Sequence, residues 1–181
     1  MERDSHSWTV NLRELIRDVP DFPRPGVVFK DITPMLAHPA GLSLAVEIMS
    51  QPFRHVRIDR VAAAESRGFI FGAAVAHALS AGFVPIRKLG KLPAETHAES
   101  YVLEYGSDTV EIHRDGIRPG DQVVLVDDVL ATGGTMAACC RLVEKLGGHI
   151  VGLSVLLELV FLNGRSLLGR HPAYSVLRYE S

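Results

Sequence analysis

An apolar run that ends in two adjacent carboxylates and then a glycine-rich bend leaves few folding options. From Val123 to Met136 the chain reads Val-Val-Leu-Val-Asp-Asp-Val-Leu-Ala-Thr-Gly-Gly-Thr-Met. Val123 to Val126 carry no polar interruption, which suits a strand covered on both faces, as in a parallel sheet. Pro119-Gly120 supplies the turn that feeds it. Beyond the bend, Met136, Cys139, Cys140, Leu142, Val143 and Leu146 fall at helical spacing, and Gly147-Gly148 closes that helix. The order is therefore strand, loop, helix, the repeating unit of an α/β sheet.

The loop, Ala131-Thr132-Gly133-Gly134-Thr135, has the chemistry of a phosphate cradle. Glycines let successive backbone N–H groups converge on one point, and a helix start adds unpaired N–H groups with a partial positive charge. Asp127 and Asp128 stand at the carboxyl end of the strand, where ligands bind in open α/β sheets. Two carboxylates beside such a cradle repel a phosphate unless they hold sugar hydroxyls or a divalent cation. A phosphate at one end and a vicinal diol at the other, as in ribose 5-phosphate, satisfies both halves. No G-x-G-x-x-G occurs, and no Gly-Lys-Ser/Thr follows the glycines, so neither a dinucleotide fingerprint nor a Walker A loop is present. The plain alternative is a turn capped by Asp-Asp; the strand before it and the helix after it favour the binding loop.

A second strand–turn–helix unit supports the same architecture. Val61 to Ala64 reads as a strand, Glu65-Ser66-Arg67-Gly68 as its turn, and Phe69 to Ala81 as an alanine-rich helix ending at Gly82. Phe83 to Ile86 is a third strand, followed by Arg87-Lys88-Leu89-Gly90-Lys91, whose three cations are either a solvated face or an anion clamp. Ile150 to Leu157 is a further buried strand with Glu158 and Leu159 at its end. Gly164 to Leu168 reads as a short helix and Ala173 to Tyr179 as an edge strand. Towards the N-terminus, Leu12, Leu15, Ile16 and Val19 predict a helix over residues 10–19. Pro20 to Gly26 breaks it, Val27 to Ile32 is extended, and Pro39 to Phe53 reads as a helix. Leu92 to Ser100 shows no period and reads as a mobile flap; Tyr101 to Gly106 then begins a hairpin with Thr109 to Ile112. The expected fold is a single α/β domain over residues 1–181 with a mostly parallel central sheet flanked by helices.

Composition narrows the function classes. With 181 residues, 47% hydrophobic and 22% charged, the chain resembles an ordinary globular protein. A net charge of −2 argues against a nucleic-acid surface. No apolar run reaches the ~18 residues of a membrane span, and Met1 to His6 lacks a signal-peptide core, so the expected compartment is cytoplasmic, with no membrane partner. Cys139 and Cys140, adjacent on a helix, suit neither a disulfide nor a metal pattern and read as core.

The Val123–Met136 stretch resembles the 5-phosphoribosyl-1-pyrophosphate (PRPP) signature of the type I phosphoribosyltransferases. That resemblance implies that Ala131, Thr132, Gly133, Gly134 and Thr135 hold the ribose 5-phosphate, and Asp127 and Asp128 its hydroxyls. Glu65-Ser66-Arg67-Gly68 is similar to the family's pyrophosphate-side loop, which implicates Ser66 and Arg67. The same match covers Arg87, Lys88 and Lys91 as a clamp for the leaving pyrophosphate, with Tyr105 closing over that side. Phe22-Pro23-Arg24-Pro25-Gly26-Val27-Val28-Phe29-Lys30-Asp31-Ile32-Thr33 resembles the N-terminal segment of the adenine phosphoribosyltransferases in particular. There it forms a hood, implying an N-terminal helix and adenine hood at about 10–35 and a core at about 36–181 with a flap near 87–112. The backbone at Val28 then meets the Watson–Crick edge of the base and Phe29 its face, with Lys30, Arg67 and Val129 completing the adenine contacts. Leu103-Glu104-Tyr105-Gly106 matches a family motif that makes Glu104 the general acid/base for the purine nitrogens.

The resemblance thus implies an enzyme of purine salvage, a pentosyltransferase converting adenine and PRPP to AMP and pyrophosphate. Mg²⁺ is expected as a cofactor bound through PRPP or pyrophosphate, with no dedicated protein ligand, and the family implies a homodimer. Two alternatives remain at this level: transfer to a 6-oxopurine such as hypoxanthine or xanthine, and a non-catalytic PRPP- or purine-sensing regulatory domain. The Phe-Pro-x-Pro-Gly hood argues against the first, and the lack of a helix-turn-helix pattern or basic surface against the second.

Overall fold

A computed structural model describes residues 10–102 and 107–181. The chain divides into two compact units, Met1–Ala45 and Val46–Ser181. In the first, a single 3₁₀ turn, Leu12–Leu15, leads into β1 (Arg17–Pro20), which pairs antiparallel with β2 (Val28–Asp31). The helix expected over 10–19 is therefore only one turn long. The reason is a cross-strand one: Arg17 stands opposite Asp31 and Asp18 opposite Lys30, and both pairs form ion contacts, at 2.5 and 2.8 Å. A helix would leave those four charges without their partners. The helices α1 (Thr33–Ala37) and α2 (Pro39–Ser50) follow, the latter crossing the division between the units.

The second unit is built on β3 (Arg60–Ala64), α3 (Arg67–Ala78), β4 (Gly82–Lys88), β5 (Thr96–Val102), β6 (Ser107–His113), β7 (Gln122–Leu130), α4 (Gly134–Lys145), β8 (His149–Leu159) and β9 (Ala173–Tyr179). Seven strands form one sheet in the order β5-β6-β4-β3-β7-β8-β9. Pairings from β4 through β9 are parallel; β5 and β6 run antiparallel at one side. The expected α/β fold with a mostly parallel sheet is what the chain adopts. Val123 to Val126 are at most 1% exposed, and α4 buries Met136, Cys139, Cys140, Leu142 and Val143. Both cysteines are free and belong to this core.

Two expectations of extent are corrected. The strand through Val123–Val126 continues to Leu130, so Asp127 and Asp128 lie within β7, and Gly134 and Thr135 already belong to α4. The aperiodic flap over Leu92–Ser100 is half strand: Thr96–Ser100 pair with Thr109–His113, placing His97 opposite Ile112. Among the described residues no helix is long and apolar enough to cross a membrane.

The topology itself marks one crevice. From β3 the chain crosses to β4 on one side, and from β7 it crosses to β8 on the other. The sheet's direction of winding reverses between β3 and β7, and the loops leaving their carboxyl ends diverge there. Such a switch point is where open α/β sheets bind ligands.

Candidate active site

At that crevice Glu65, Ser66 and Arg67 come from the β3–α3 turn, Lys88 from the end of β4, Asp127 and Asp128 from β7, and Thr135 from the start of α4. Together with Tyr101, Asp108 and Val110 of the β5–β6 hairpin they line a cleft of about 620 Å³. A smaller hollow of about 140 Å³ adjoins it, lined by Asp127, Val129, Leu130 and the bend from Ala131 to Met136. Asp127 and Thr135 border both.

The bend owes its shape to two glycines. Gly133 caps α4 with φ +83°, a left-handed conformation, and a Cβ there would lie 2.2 Å from the Gly164 carbonyl oxygen. Gly164 in turn has no room for a Cβ, which would stand 2.1 Å from the Ala131 carbonyl oxygen. The bend is thus seated on the backbone of the Gly164–Leu168 3₁₀ helix. No side chain caps α4, so its N-terminal end is closed only by backbone and faces the hollow.

The two carboxyls of β7 are electrostatically uncomfortable. Burial pushes the Asp127 carboxyl well up, and the charge of Asp128 adds to it, although its Oδ1 accepts the Asp128 N–H at 2.9 Å. Burial raises Asp128 too, opposed by the Arg67 guanidinium 2.8 Å from its Oδ2. That approach is an ion contact without hydrogen-bond alignment, and Asp128 Oδ2 is otherwise without a donor among the described residues. A buried oxygen with lone pairs to spare is an acceptor for a hydroxyl or a cation.

The cation-bearing side is organised by acids that the sequence reading did not single out. Glu65 accepts from Arg87 Nε at 2.9 Å and from the Lys88 amide at 2.8 Å. Burial pushes its pKa up, but those donors outweigh it and hold the carboxyl low. Glu111, 3% exposed, accepts from the Lys91 and Leu92 amides, both at 3.0 Å, and from the Thr96 hydroxyl at 3.1 Å. Its carboxyl is likewise held low against burial by these bonds. Arg87 also donates to the Lys91 carbonyl at 3.1 Å, so Glu65, Arg87, Lys91 and Glu111 form one connected frame. Lys88 reaches Asp108 Oδ2 at 3.2 Å, and the Tyr101 hydroxyl donates to the same oxygen at 3.3 Å.

Of the site residues expected from sequence, Ser66, Arg67, Lys88, Asp127, Asp128 and Thr135 converge on the larger cleft, and Val129, Ala131, Thr132, Gly133 and Gly134 on the adjoining hollow. Arg87 and Lys91 are not in the cleft wall; they belong to the acidic frame behind it. Val28, half exposed, and Phe29, packed edge-on against Phe22 with centroids 5.2 Å apart, lie on β2 of the first unit, where Lys30 is paired with Asp18. Glu104 and Tyr105 lie outside the described residues. No local signal in the sequence marks Glu111, because strand alternation there disguises it as a solvent-facing acid.

A phosphoribosyl transferase domain model matches residues 32–177. The adenine phosphoribosyltransferase of Rhodopirellula baltica is 56% identical over 170 residues, covering 94% of this chain and 82% of that protein. The chain belongs to the adenine phosphoribosyltransferase family. The solved adenine phosphoribosyltransferase of Rhodothermus marinus superposes with a TM-score of 0.89 at 56% identity, over 93% of this chain and 96% of that one. That of Saccharomyces cerevisiae, complexed with D-2,5-dideoxy-2,5-imino-altritol 1,6-bisphosphate and adenine, gives 0.87 at 40% identity, over 92% and 96%. Both the family and the fold expected from the sequence motifs are therefore confirmed for this adenine phosphoribosyltransferase family member.

Proposed function

We propose that the chain transfers the 5-phosphoribosyl group from PRPP to N9 of adenine, giving AMP and pyrophosphate. The observation that carries the reading is the under-satisfied Asp127-Asp128 pair set directly beside the Gly133 bend at the switch point of the sheet. A ligand with a phosphate for the bend and hydroxyls for the acids relieves both. In this reading Ala131 to Thr135 hold the 5-phosphate, Asp127 and Asp128 the ribose hydroxyls, and Ser66, Arg67 and Lys88 the pyrophosphate. Arg87, Lys91 and Tyr105 complete the pyrophosphate side, with the Arg87 guanidinium and the Lys91 backbone held by the frame.

The chemistry then follows from charge. The bond from C1 of the ribose to pyrophosphate oxygen breaks with its electron pair leaving on pyrophosphate, and N9 of adenine supplies the pair for the new C–N bond. Glu104 takes the proton that N9 loses. The base is assigned to Val28, Phe29, Lys30, Arg67 and Val129; a backbone N–H and C=O side by side complement N1 and the 6-amino group, whereas a 6-oxopurine reverses that pattern and is rejected by about 10⁴-fold. The β5–β6 hairpin closes over the reacting centre and excludes water.

The larger cleft is lined by Glu65, Asp108, Asp127 and Asp128 against Arg67 and Lys88. With acids outnumbering bases in this wall, a polyanion is best received together with a cation. Asp127 and Asp128, the latter with its donor-less oxygen, are the residues suited to share Mg²⁺ with PRPP. Bound there, Mg²⁺ would neutralise charge gathering on the leaving group. The family resemblance supports a cytoplasmic location and a homodimer, the latter checked by light scattering of the purified protein.

The deciding experiment assays purified protein with PRPP, Mg²⁺ and each of adenine, hypoxanthine, guanine and xanthine. Only adenine should be consumed at an appreciable rate; comparable use of a 6-oxopurine would overturn the assignment. Glu104→Gln should lower kcat by about 10²-fold with PRPP affinity retained. Unchanged turnover would remove its acid/base role.

A further inference from the structure

Three cations at or behind the cleft are each already met by a carboxylate of the chain. Arg67 lies 2.8 Å from Asp128, Arg87 lies 2.8 Å from Glu65, and Lys88 lies 3.2 Å from Asp108. Two of these acids have other duties. Asp128 belongs to the β7 pair, and Glu65 ties the Lys88 amide and Arg87 to the β3–α3 turn. Asp108 belongs to neither loop. It sits near the start of β6, its side chain about a quarter exposed, and its carboxylate forms part of the cleft wall. The only donors to it besides Lys88 are the Tyr101 hydroxyl at 3.3 Å and the adjacent Thr109 amide at 2.8 Å among the described residues.

Lys88 is placed to be exchanged. Its side chain is 59% exposed, and an ion pair so open to water is weak. Its backbone, by contrast, is fixed: the amide is held by Glu65, and the residue pairs with Val110 across β4 and β6. A long stem on an anchored backbone lets the ammonium turn from Asp108 to another anion in the same cleft without moving the strand.

We propose that Asp108 is an internal stand-in for the leaving pyrophosphate, occupying Lys88 in the ligand-free protein, yielding it to bound pyrophosphate and reclaiming it as product departs. This rests on the reading of the cleft as the PRPP site. Asp108 is thus a positioning residue that acts through Lys88, and it sets how tightly pyrophosphate is retained. Lys88's raised pKa, for which Asp108 is the leading cause, agrees with a local pairing between the two.

The test is calorimetric titration of Mg²⁺-pyrophosphate into the wild-type protein, Asp108→Asn and Asp108→Ala. Both variants should bind pyrophosphate about 3- to 10-fold more tightly, and the product-inhibition constant for pyrophosphate should fall in step. A merely structural role for Asp108 could weaken binding but not tighten it. Adding Lys88→Met to Asp108→Asn should abolish the gain, because the two residues then act as one unit. Equal or weaker binding in both Asp108 variants, or a gain that survives loss of Lys88, would overturn the proposal. Wild-type protein that binds AMP but not pyrophosphate would overturn it as well. Failure to bind either ligand or PRPP would instead bring down the reading of the cleft.

Discussion

Within β7, Asp127 and Asp128 are pushed upward by burial, and an oxygen of Asp128 has no hydrogen-bond donor among the described residues. Elsewhere in the same sheet, on β6 and β8, Glu111 and Glu158 are equally buried, each 3% exposed, yet both are held below the usual carboxylate range. Glu158 accepts two bonds from Arg165, at 2.8 and 2.6 Å, and one from Ser175 at 2.5 Å, and its pKa falls to about 2. The difference between the regions lies in the supply of donors. Where the fold surrounds an acid with N–H and O–H groups, the acid is scaffold; where it withholds them, the acid is left for a ligand to satisfy. One sheet therefore carries acids that strengthen it and acids that weaken it, and the second kind, Asp127 and Asp128, lies at the crevice.

Removing each kind should give opposite signs. Asp127→Asn with Asp128→Asn should weaken PRPP binding by about 10²-fold or more while raising the thermal midpoint of the ligand-free protein. An unaltered PRPP affinity would contradict the diol assignment, and a lowered midpoint would break the contrast between the two regions. Glu158→Ala should do the reverse to folding, costing about 2–3 kcal/mol because Arg165 and Ser175 lose their acceptor; urea unfolding reads this directly. Glu111→Gln keeps one oxygen for the Lys91 and Leu92 amides, so it should cost less, about 1–2 kcal/mol. It should also raise KM for PRPP a few-fold, since Glu111 anchors the Lys91 backbone to which Arg87 donates.

These contrasts also mark where the sequence could be read and where it could not. The β7–α4 unit was legible because an unbroken apolar run, a glycine bend and a helical period are local signals. The family motifs pointed to Ser66, Arg67 and Lys88, and these three line the cleft. The periodicity of Leu12, Leu15, Ile16 and Val19 misled, because the strand at Arg17–Pro20 exists through Asp31 and Lys30 more than ten residues away. Thr96–Ser100 hid in the same way: its strand is defined by partners on β6, not by its own alternation. Gly164 carries no local clue that it supports the Ala131–Gly133 bend, since that contact spans some thirty residues. Long-range satisfaction, not local propensity, separates Glu111 from any solvent-facing strand acid.

The smallest expected effect isolates the charge on Asp127 alone. Because its folded-state pKa is raised, the folded protein holds that proton more readily than the unfolded chain. Its contribution to stability is therefore fully present at low pH and is lost as pH rises through the folded pKa. Asp127→Asn mimics the protonated state permanently, and its carbonyl oxygen can still accept the Asp128 N–H. The variant should melt a few degrees above wild type at neutral pH, about 3 °C for each kcal/mol in a chain of this size. That gap should narrow as pH falls towards 3.8, the ordinary aspartate value, where both side chains are neutral. Glu158→Gln should trace the opposite curve. Its lowered pKa makes its contribution complete above the unfolded value of 4.5 and lost as pH falls towards about 2, so the variant's deficit should shrink in acid. Paired melting curves between pH 3 and 8 check both. A gap for Asp127→Asn that stayed constant across that range would mean that packing, not charge, distinguishes the crevice acids from the buried acids of β6 and β8.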